Sequence, residues 1–347
     1  MSRADRRELP DADLPILDLA LLEADETAAD SFRSNLLQAM HEVGFCYLVG
    51  HGIPEEDMAA AFSAAERFFA LPEKDKLAVE MTRSAQFRGY TRTGGELTQG
   101  HVDWREQIDL GAERPTVGGG PAFLRLEGPN QWPDQLPELR TVFTDWERRC
   151  TRIGMRLLHA WAQALGSPAD IFDDAFGLEP STLIKLVRYP GRDDEDRQGV
   201  GAHKDPGVLT LLLVEPGKGG LQIEYNGHWI DAPPVPGAFV VNIGELMEFA
   251  TGGYLKATTH RVLSPPAGAS RLSIPFFLNP ALDRAMPRLE LPADLAAQAH
   301  GVTRDPANHI SGTFGDNLLK ARLRAHPDVA AIHHPDLVDA ASNPTAG

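Results

Sequence analysis

Three residues in the second half of the chain have the types and spacing of a metal site. His203 and Asp205 stand two residues apart, and His260 follows further along the chain. On a β-strand two such residues leave the same face, so His203 and Asp205 would point together while Lys204 points away. Two imidazoles and one carboxylate leave further coordination positions open, and this ligand set is typical of non-haem Fe(II) oxygenases. The pattern predicts an iron centre that reacts with O2.

A zinc hydrolase is the competing interpretation of the same three residues, because two histidines and a carboxylate also bind Zn²⁺. A single histidine would be weak support for either metal, since the sequence contains 12 of them. No positioned general base or nucleophile accompanies the three ligands in the sequence. The combination therefore favours iron.

A second pair, Arg271 and Ser273, repeats the two-residue spacing beyond His260. On one strand face the guanidinium and the hydroxyl would lie together, and a guanidinium binds a carboxylate through two parallel hydrogen bonds. The segment continues as Ile274 to Leu278 (IPFFL), which is too apolar for an exposed strand. An arginine buried there needs an anionic partner, and a bound dicarboxylate would provide one.

The first 180 residues are predicted to form a mainly helical module. Apolar residues recur at helical spacing in residues 25–43, in the stretch that Pro54 opens, and in residues 136–165. Between the first two of these, residues 44–49 have the composition of a short strand.

From residue 181 the composition changes to short β-prone runs separated by Gly and Pro turns, which indicates a jelly roll or sandwich over residues 181–282. The runs are Leu183 to Tyr189, Val208 to Val214, Leu221 to Tyr225, Ala238 to Ile243, Thr258 to Leu263 and Arg271 to Leu278. Residues 191–199 are expected to form a solvated loop. Residues 283–347 are expected to be an extension with one helix near 315–325 and a disordered tail from Ala340.

The composition excludes several classes of partner. A formal net charge of −16 disfavours binding to nucleic acid, which requires a basic surface. A hydrophobic content of 42% is ordinary for a soluble protein, and no segment approaches the ~20 apolar residues of a membrane span. The first residues, MSRADRRELPDADLP, lack the apolar segment of a secretory signal. With only Cys46 and Cys150, a disulfide framework is not expected, and a cytoplasmic location is the simplest prediction.

Several segments together resemble the isopenicillin N synthase-like group of Fe(II)/2-oxoglutarate-dependent dioxygenases, over residues 14–326. The matching segments are GFCYLVGHGIP (44–54), GAHKDPGVLTLLL (201–213), GGLQIEYNGHWIDAPPVPGAFVVNIGELMEFATGG (219–253), KATTHRV (256–262) and RLSIPFFLNP (271–280). The resemblance implies a mainly β fold with flanking helices, in which a double-stranded β-helix of the jelly-roll, cupin-like type forms the core and a helical module precedes it.

The resemblance also implies roles for individual residues. His203, Asp205 and His260 would bind Fe(II), Arg271 and Ser273 would hold the distal carboxylate of 2-oxoglutarate, and Tyr189 matches an aromatic position that often touches the same co-substrate. The implied reaction consumes O2, oxidises a small-molecule substrate, by default through hydroxylation, and forms succinate and CO2.

Five further residues are candidates for contact with the substrate. Lys185 shares a strand face with Val187 and Tyr189 and would meet an anionic substrate group; Val187 stands where many relatives have Asn. Phe277 and Asn279 continue the inward alternation of Arg271 and Ser273 towards the barrel mouth. By resemblance, the segment VDWREQIDL (102–110) borders the pocket, with Gln107 and Asp109 on one face of a strand.

Alternatives with the same iron site are an oxidase of the isopenicillin N synthase type, which takes all four electrons from its substrate, and an ethylene-forming type that fragments 2-oxoglutarate. A non-catalytic jelly-roll binding protein is disfavoured, because a degenerate relative should have lost at least one of the iron ligands or Arg271. Neither the substrate nor the oligomeric state follows from the sequence.

Overall fold

The computed structural model of the chain describes residues 14–98, 100–193, 198–302 and 313–342. The α-helices in these ranges are α1 (Glu26–Glu42), α2 (Glu55–Phe69), α3 (Glu73–Leu77), α4 (Glu138–Ala164), α5 (Asp173–Phe176), α6 (Glu245–Ala250), α7 (Ala293–Ala296), α8 (Phe314–Ala325), α9 (Pro327–His333) and α10 (Pro335–Ser342).

The strands in the same ranges are β1 (Ile16–Asp18), β2 (Phe45–Val49), β3 (Gly89–Thr91), β4 (Leu97–Thr98), β5 (His101–Val102), β6 (Glu106–Gly111), β7 (Ser181–Pro190), β8 (Gln198–His203), β9 (Leu209–Val214), β10 (Leu221–Tyr225), β11 (His228–Asp231), β12 (Phe239–Ile243), β13 (His260–Leu263) and β14 (Ser270–Asn279). Three short 3-10 helices cover Leu19–Glu23, Met81–Arg83 and Ala122–Leu126.

The strands form a double-stranded β-helix with flanking helices, which confirms the predicted fold class. The larger sheet has the strand order β1-β2-β12-β9-β14-β7-β6-β3, and the smaller has the order β11-β10-β13-β8. β4 and β5 form a separate two-stranded hairpin. Within the larger sheet, all neighbours except β1 and β2 run antiparallel.

The two faces of the larger sheet bury different sets of apolar side chains, as the two-residue alternation of a strand requires. One face, which includes Leu211 and Phe276, shares a core with the apolar stripe of α4, where Leu157 and Leu158 are fully buried. The other face packs on the smaller sheet through a second apolar cluster. That cluster includes Val187, Tyr189 and Val214 from the larger sheet and Val200, Leu221, Ile223 and Val262 from the smaller. The polar site lies along this second, inner face.

Four strands of the first 180 residues, β1, β2, β3 and β6, belong to the larger sheet together with strands of the core. β2 pairs with β12 at one edge, and β6 pairs with β7 at the other. Backbone hydrogen bonds therefore cross the predicted boundary at residue 180, and the division of the chain at 180 and 282 remains a prediction.

The predicted helices and strands are confirmed to within a few residues, with two corrections. β8 begins at Gln198, inside the predicted loop 191–199, and residues 194–197 of that loop lie outside the described residues. β8 ends at His203, so Asp205 lies beyond the strand, and the expectation that both ligands share one strand face is wrong. The chain bends at residues 206–208, after Asp205.

The segment after residue 283 contains more helix than expected. α8 coincides with the predicted helix, but α9 and α10 follow it, and α10 continues through Ser342, which lies within the predicted disordered tail. Residues 343–347 lie outside the described residues. Pro327 and Pro335 occupy the first positions of α9 and α10, where proline is compatible with a helix and separates consecutive short helices.

Gly44 places the start of β2 against the segment that leads to His260. Its φ is +77°, and a Cβ there would lie 2.2 Å from the carbonyl oxygen of Lys256. The neighbouring Thr258 hydroxyl donates a hydrogen bond to the Val43 carbonyl, so the two segments are in direct contact.

We expect Gly44→Ala to lower the free energy of unfolding by about 2–4 kcal/mol, because it adds a steric clash to the cost of a left-handed backbone. Gly52→Ala is the matched control: its φ is +81°, but a Cβ there has nothing within 4 Å. That variant should lose only about 1 kcal/mol. Urea denaturation measures both, and equal losses would contradict the proposed contact.

Candidate metal and co-substrate site

The two predicted histidine ligands lie side by side at the ends of neighbouring strands. His203 is the last residue of β8, His260 is the first of β13, and the two are cross-strand partners whose ring centroids are 4.4 Å apart. Oδ1 of Asp205 lies 3.6 Å from Nε2 of His203 and 3.8 Å from Nε2 of His260. The three atoms are all within 4.8 Å of one another, so one ion can contact all three.

A backbone carbonyl fixes the orientation of each imidazole. Nδ1 of His203 lies 2.8 Å from the oxygen of Gly201, and Nδ1 of His260 lies 3.1 Å from the oxygen of Thr258. A carbonyl can only accept, so each Nδ1 carries a hydrogen, and each Nε2 faces Asp205. Such contacts behind a ligand orient it for metal binding.

The Asp205 carboxylate is held through its other oxygen. Oδ2 accepts hydrogen bonds from the Thr210 hydroxyl at 2.6 Å and from the Asn242 amide at 2.8 Å. Thr210 lies on β9 and Asn242 on β12, and these two residues are themselves cross-strand partners. The larger sheet thus directs Oδ1 towards the imidazoles of the smaller sheet.

The charge states suit a divalent cation. Burial and the neighbouring His203 lower the pKa of His260 to about 4, against the opposing effect of Asp205. Burial opposes ionisation of Asp205, but the two imidazoles and the Thr210 hydroxyl outweigh it and hold its pKa well below the usual range. At neutral pH the site therefore offers a carboxylate and a neutral imidazole. Two nitrogen donors and one oxygen donor fit Fe(II).

Arg271 is a buried cation with no ion-pair partner within 4.0 Å among the described residues. Its side chain is 1% exposed, and none of its three guanidinium nitrogens has a hydrogen-bond partner. The guanidinium lies over the ring of its cross-strand partner Tyr189, 5.0 Å from the centroid, and burial lowers its pKa. Ser273, also buried, follows on the same face of β14. Because an uncompensated buried charge is costly, this arrangement fits a bound carboxylate.

The structure brings Lys185, Gln107 and Asp109 together on β7 and β6. Asp109 is the cross-strand partner of Lys185, whose ammonium lies 3.2 Å from Oδ2 of Asp109 and 2.9 Å from Oε1 of Glu96. Gln107 donates its amide hydrogen to Oδ1 of Asp109 at 2.9 Å. From the sequence we predicted that Lys185 contacts an anionic group of the substrate. In the structure its ammonium group already contacts two carboxylates of the chain itself.

Phe277 and Asn279 lie near the metal ligands for different reasons. Phe277 is partly buried and is the cross-strand partner of Thr210, the residue that holds Asp205. Asn279 accepts a hydrogen bond from the Val208 amide at 3.0 Å, and its Oδ1 would lie 2.1 Å from a Cβ on Gly207. Asn279 therefore braces the loop that follows Asp205.

Sequence reasoning missed several residues that contact this region. They are Glu96, Asp103, Arg105, Thr210, Asn242, Arg322 and His326. Thr210 and Asn242 lie on predicted strands, and their inward alternation was the only available signal. Arg322 comes from α8, far along the chain, and no local pattern connects it to Asp109.

The comparisons with known proteins agree with the fold. The family model described as the non-haem dioxygenase in morphine synthesis N-terminal domain matches residues 14–135, and the model of the 2OG-Fe(II) oxygenase superfamily matches residues 181–280. The chain belongs to this superfamily of Fe(II)- and 2-oxoglutarate-dependent dioxygenases. Fe(II) and 2-oxoglutarate are its cofactor and co-substrate, and it is an oxidoreductase.

Individual relatives cover most of the chain. It is 38% identical to the 2-oxoglutarate-dependent dioxygenase frbJ of Dothideomycetidae sp. (strain 11243), over 91% of this chain and 90% of the relative. It is 33% identical to homoarginine-6-hydroxylase 2-ODD-C23.1 of Arabidopsis thaliana, over 80% and 88%. The crystal structure of a full-length Neurospora crassa protein in complex with alpha-KG and thymine superposes with a TM-score of 0.73 at 25% identity, over 93% of this chain and 98% of that protein.

Among the described residues, none of the helices has the length and apolar character to cross a membrane.

We expect Thr210→Val to weaken metal binding by about tenfold, because Oδ2 of Asp205 loses a donor and the carboxylate can rotate. Calorimetric titration with Mn(II) measures the affinity directly. Thr182→Val is the matched control, since that buried hydroxyl donates to Glu147, which is not part of the metal site. The same affinity in the Thr210 and Thr182 variants would show that the hydroxyl of Thr210 does not support the ligand.

Proposed function

We propose that His203, Asp205 and His260 bind Fe(II), that Arg271, Ser273 and Tyr189 hold 2-oxoglutarate, and that the enzyme hydroxylates an unactivated carbon of a small molecule. The observation that carries the assignment is the pair of complementary sites on one inner face. Three ligand atoms converge on a point that one ion can contact, and a fully buried guanidinium lacks an anion among the described residues.

The chain's own groups have defined tasks in this reaction. When bound, Fe(II) and 2-oxoglutarate supply the oxidising chemistry, in which O2 converts 2-oxoglutarate to succinate and CO2 and one oxygen atom enters the substrate. Thr210 and Asn242 hold the Asp205 carboxylate in the orientation that faces the metal. The backbone carbonyls behind the histidines hold the imidazole rings in their orientation. Arg271 neutralises the distal carboxylate, and the apolar cluster around Tyr189 excludes water from it.

The stoichiometry of turnover tests this function against the two alternatives. A 2-oxoglutarate-dependent hydroxylase forms one succinate for each O2 consumed with substrate. An oxidase of the isopenicillin N synthase type consumes O2 without succinate, and an ethylene-forming enzyme releases ethylene. Oxygen uptake without succinate for any substrate would overturn the proposal.

We further propose that the substrate is a small, polar, nitrogen-containing molecule. One relative is named for homoarginine, and the similar Neurospora crassa protein has been crystallised with thymine. Both molecules are small and polar, as the buried charges around Lys185 and Asp109 require of a ligand. The net charge of −16 supports a free small molecule over nucleic acid, and the free, buried Cys46 and Cys150 support a cytoplasmic location.

We expect Arg271→Met to raise the apparent KM for 2-oxoglutarate by about 100-fold, because one partner of a buried charge pair is removed. Arg261→Met is the control: Arg261 stacks on Trp229 at 4.1 Å and bonds Gln222, away from the inner face. Steady-state succinate formation at varied 2-oxoglutarate measures both variants. An unchanged KM in the Arg271 variant would remove this residue from the co-substrate site.

We expect His203→Ala to abolish iron-dependent turnover and to reduce Mn(II) binding, since one of three protein ligands is lost. His159→Ala is the matched control, because His159 lies on α4 and pairs with Asp173 at the surface. Calorimetry and succinate release give independent readings of binding and turnover. Full activity in the His203 variant would refute its assignment as a ligand.

A further inference from the structure

A chain of buried charges runs beside the proposed iron site. We call it the charge network, and its six members are Asp103, Arg105, Glu96, Lys185, Asp109 and Arg322. None of these side chains is more than 10% exposed, and acids alternate with bases along the chain.

The network begins at the strand that carries His203. Oδ1 of Asp103 accepts from the Gly201 amide at 3.3 Å, and the carbonyl of Gly201 orients the His203 ring. The guanidinium of Arg105 then bridges Asp103 and Glu96, at 3.0 and 2.8 Å. The first half of the network is therefore attached to the backbone of an iron ligand.

The second half crosses the inner face of the larger sheet to α8. Lys185 bridges Glu96 and Asp109, and Oδ2 of Asp109 accepts from Arg322 of α8 at 2.7 Å. Lys185 and Tyr189 lie on the same face of β7, and Arg271 is the cross-strand partner of Tyr189. The network thus shares the inner face with the proposed 2-oxoglutarate site.

Stability alone does not explain six buried charges. Apolar residues of similar volume commonly stabilise a core as well as a buried ion pair does, because desolvation offsets the attraction. Burial opposes ionisation of Glu96, but Arg105 and Lys185 outweigh it and hold its pKa well below the usual range. Glu96 is therefore ionised at neutral pH, and the network keeps this charge next to a reaction centre.

Gln107, Arg105 and His326 each have a buried polar atom without a hydrogen-bond partner among the described residues. Gln107 has an unused acceptor, Oε1, and Arg105 has an unused donor, Nε. His326 is 1% exposed, and its unused Nε2 lies 3.6 Å from Oε1 of Glu96. Burial lowers the pKa of His326 to about 4, so the ring is neutral. The unused atoms include both a donor and an acceptor.

The charges already present limit the charge of a ligand. Three acids and three bases of the network cancel. Fe(II) and the 2-oxoglutarate dianion also cancel, as do Arg271 and Asp205. Arg88, a further buried guanidinium near Asp109, also interacts with Glu127 and Glu147 outside the network. A ligand with one excess charge would leave that charge uncompensated inside the protein.

We propose that the charge network, with Gln107 and His326, recognises a zwitterionic substrate of the α-amino acid class. The ammonium group would donate to Oε1 of Gln107, and the carboxylate would accept from Nε of Arg105. The alternating charges provide a complementary partner for each end. This inference rests on the proposed function, because it assumes that the substrate approaches the iron held by His203.

Binding of matched ligands tests the charge requirement. The enzyme is loaded with Mn(II) and 2-oxoglutarate and titrated by calorimetry with the common L-α-amino acids and homoarginine. Each compound that binds is compared with its N-acetyl derivative, which lacks the cation, and its methyl ester, which lacks the anion; thymine is the neutral comparison. We expect at least one amino acid to bind, and each derivative to bind at least about tenfold more weakly.

Two variants test the residues. Gln107→Leu and His326→Phe remove the unused polar atoms but leave all six network charges in place. We expect each to raise the KM of the amino acid at least about fivefold, with the affinity for 2-oxoglutarate unchanged. Gln107→Leu should also lower the melting temperature, because Asp109 loses the hydrogen bond that Gln107 donates. His159→Phe, on the surface of α4, is the matched control and should not change the KM. A purely structural role predicts an unchanged KM in both variants, and that result would overturn the proposed contacts.

The results separate this inference from the proposed function. If 2-oxoglutarate does not bind to the Mn(II)-loaded enzyme, the proposed function fails. If it binds, but no amino acid does, or thymine or the singly charged derivatives bind equally well, the zwitterion inference is overturned while the iron and 2-oxoglutarate assignments stand.

Discussion

The pairing of β8 with β13 is the constraint on which the proposed metal site depends. It places His203 directly opposite His260, so that the smaller sheet alone supplies two of the three ligand atoms. A slip of one residue would turn one imidazole to the other face. The pairing is irregular immediately beyond the histidines, where the register shifts between His260 and Val262. Such an irregularity redirects side chains at the end of a strand and is common beside active sites. Phe45 of β2 contacts the edge of the His260 ring at 5.4 Å and ties this end to the larger sheet.

The buried charges on the inner face differ in whether the chain supplies a partner of opposite charge. Lys185 has two carboxylate partners within the chain, whereas Arg271 has no anionic partner among the described residues. Both side chains lie on central strands of the larger sheet and both are buried. The difference matters because an unpaired buried charge destabilises the protein on its own and gains more from a ligand of opposite charge. The position of Arg271 therefore favours a molecule that arrives with its own negative charges.

Much of the fold, and the grouping of the three candidate metal ligands, could be predicted from the sequence. The ligand types, their spacing and the β-prone runs around them identified His203, Asp205 and His260, and the apolar continuation of β14 identified Arg271 as buried. The prediction placed Asp205 on the same strand as His203, which is wrong because β8 ends at His203. Where β8 ends depends on the following loop, which contains Gly207 and packs against Asn279 of the larger sheet. Strand alternation alone cannot show where a strand stops.

The surroundings of Lys185 could not be predicted in the same way. Its partners come from the segment before β4 and from β6, and Arg322 of α8 bonds one of them, Asp109. Only the tertiary fold brings these segments together. A sequence pattern shows that a lysine lies on an inward face, but not whether the chain itself neutralises it. The three acids that belong to the network are separated from Arg322 by more than half of the chain.

The placement of β1, β2, β3 and β6 at the two margins of the larger sheet makes the amino-terminal half part of the barrel wall. Without these strands, the backbone donors and acceptors of β12 and β7 would be left open to other chains, a known route to aggregation. The catalytic half is thus not a portable unit. Recombination between relatives should preserve both halves together, and substrate range can diversify only through loops and helices that leave the flanking strands in place.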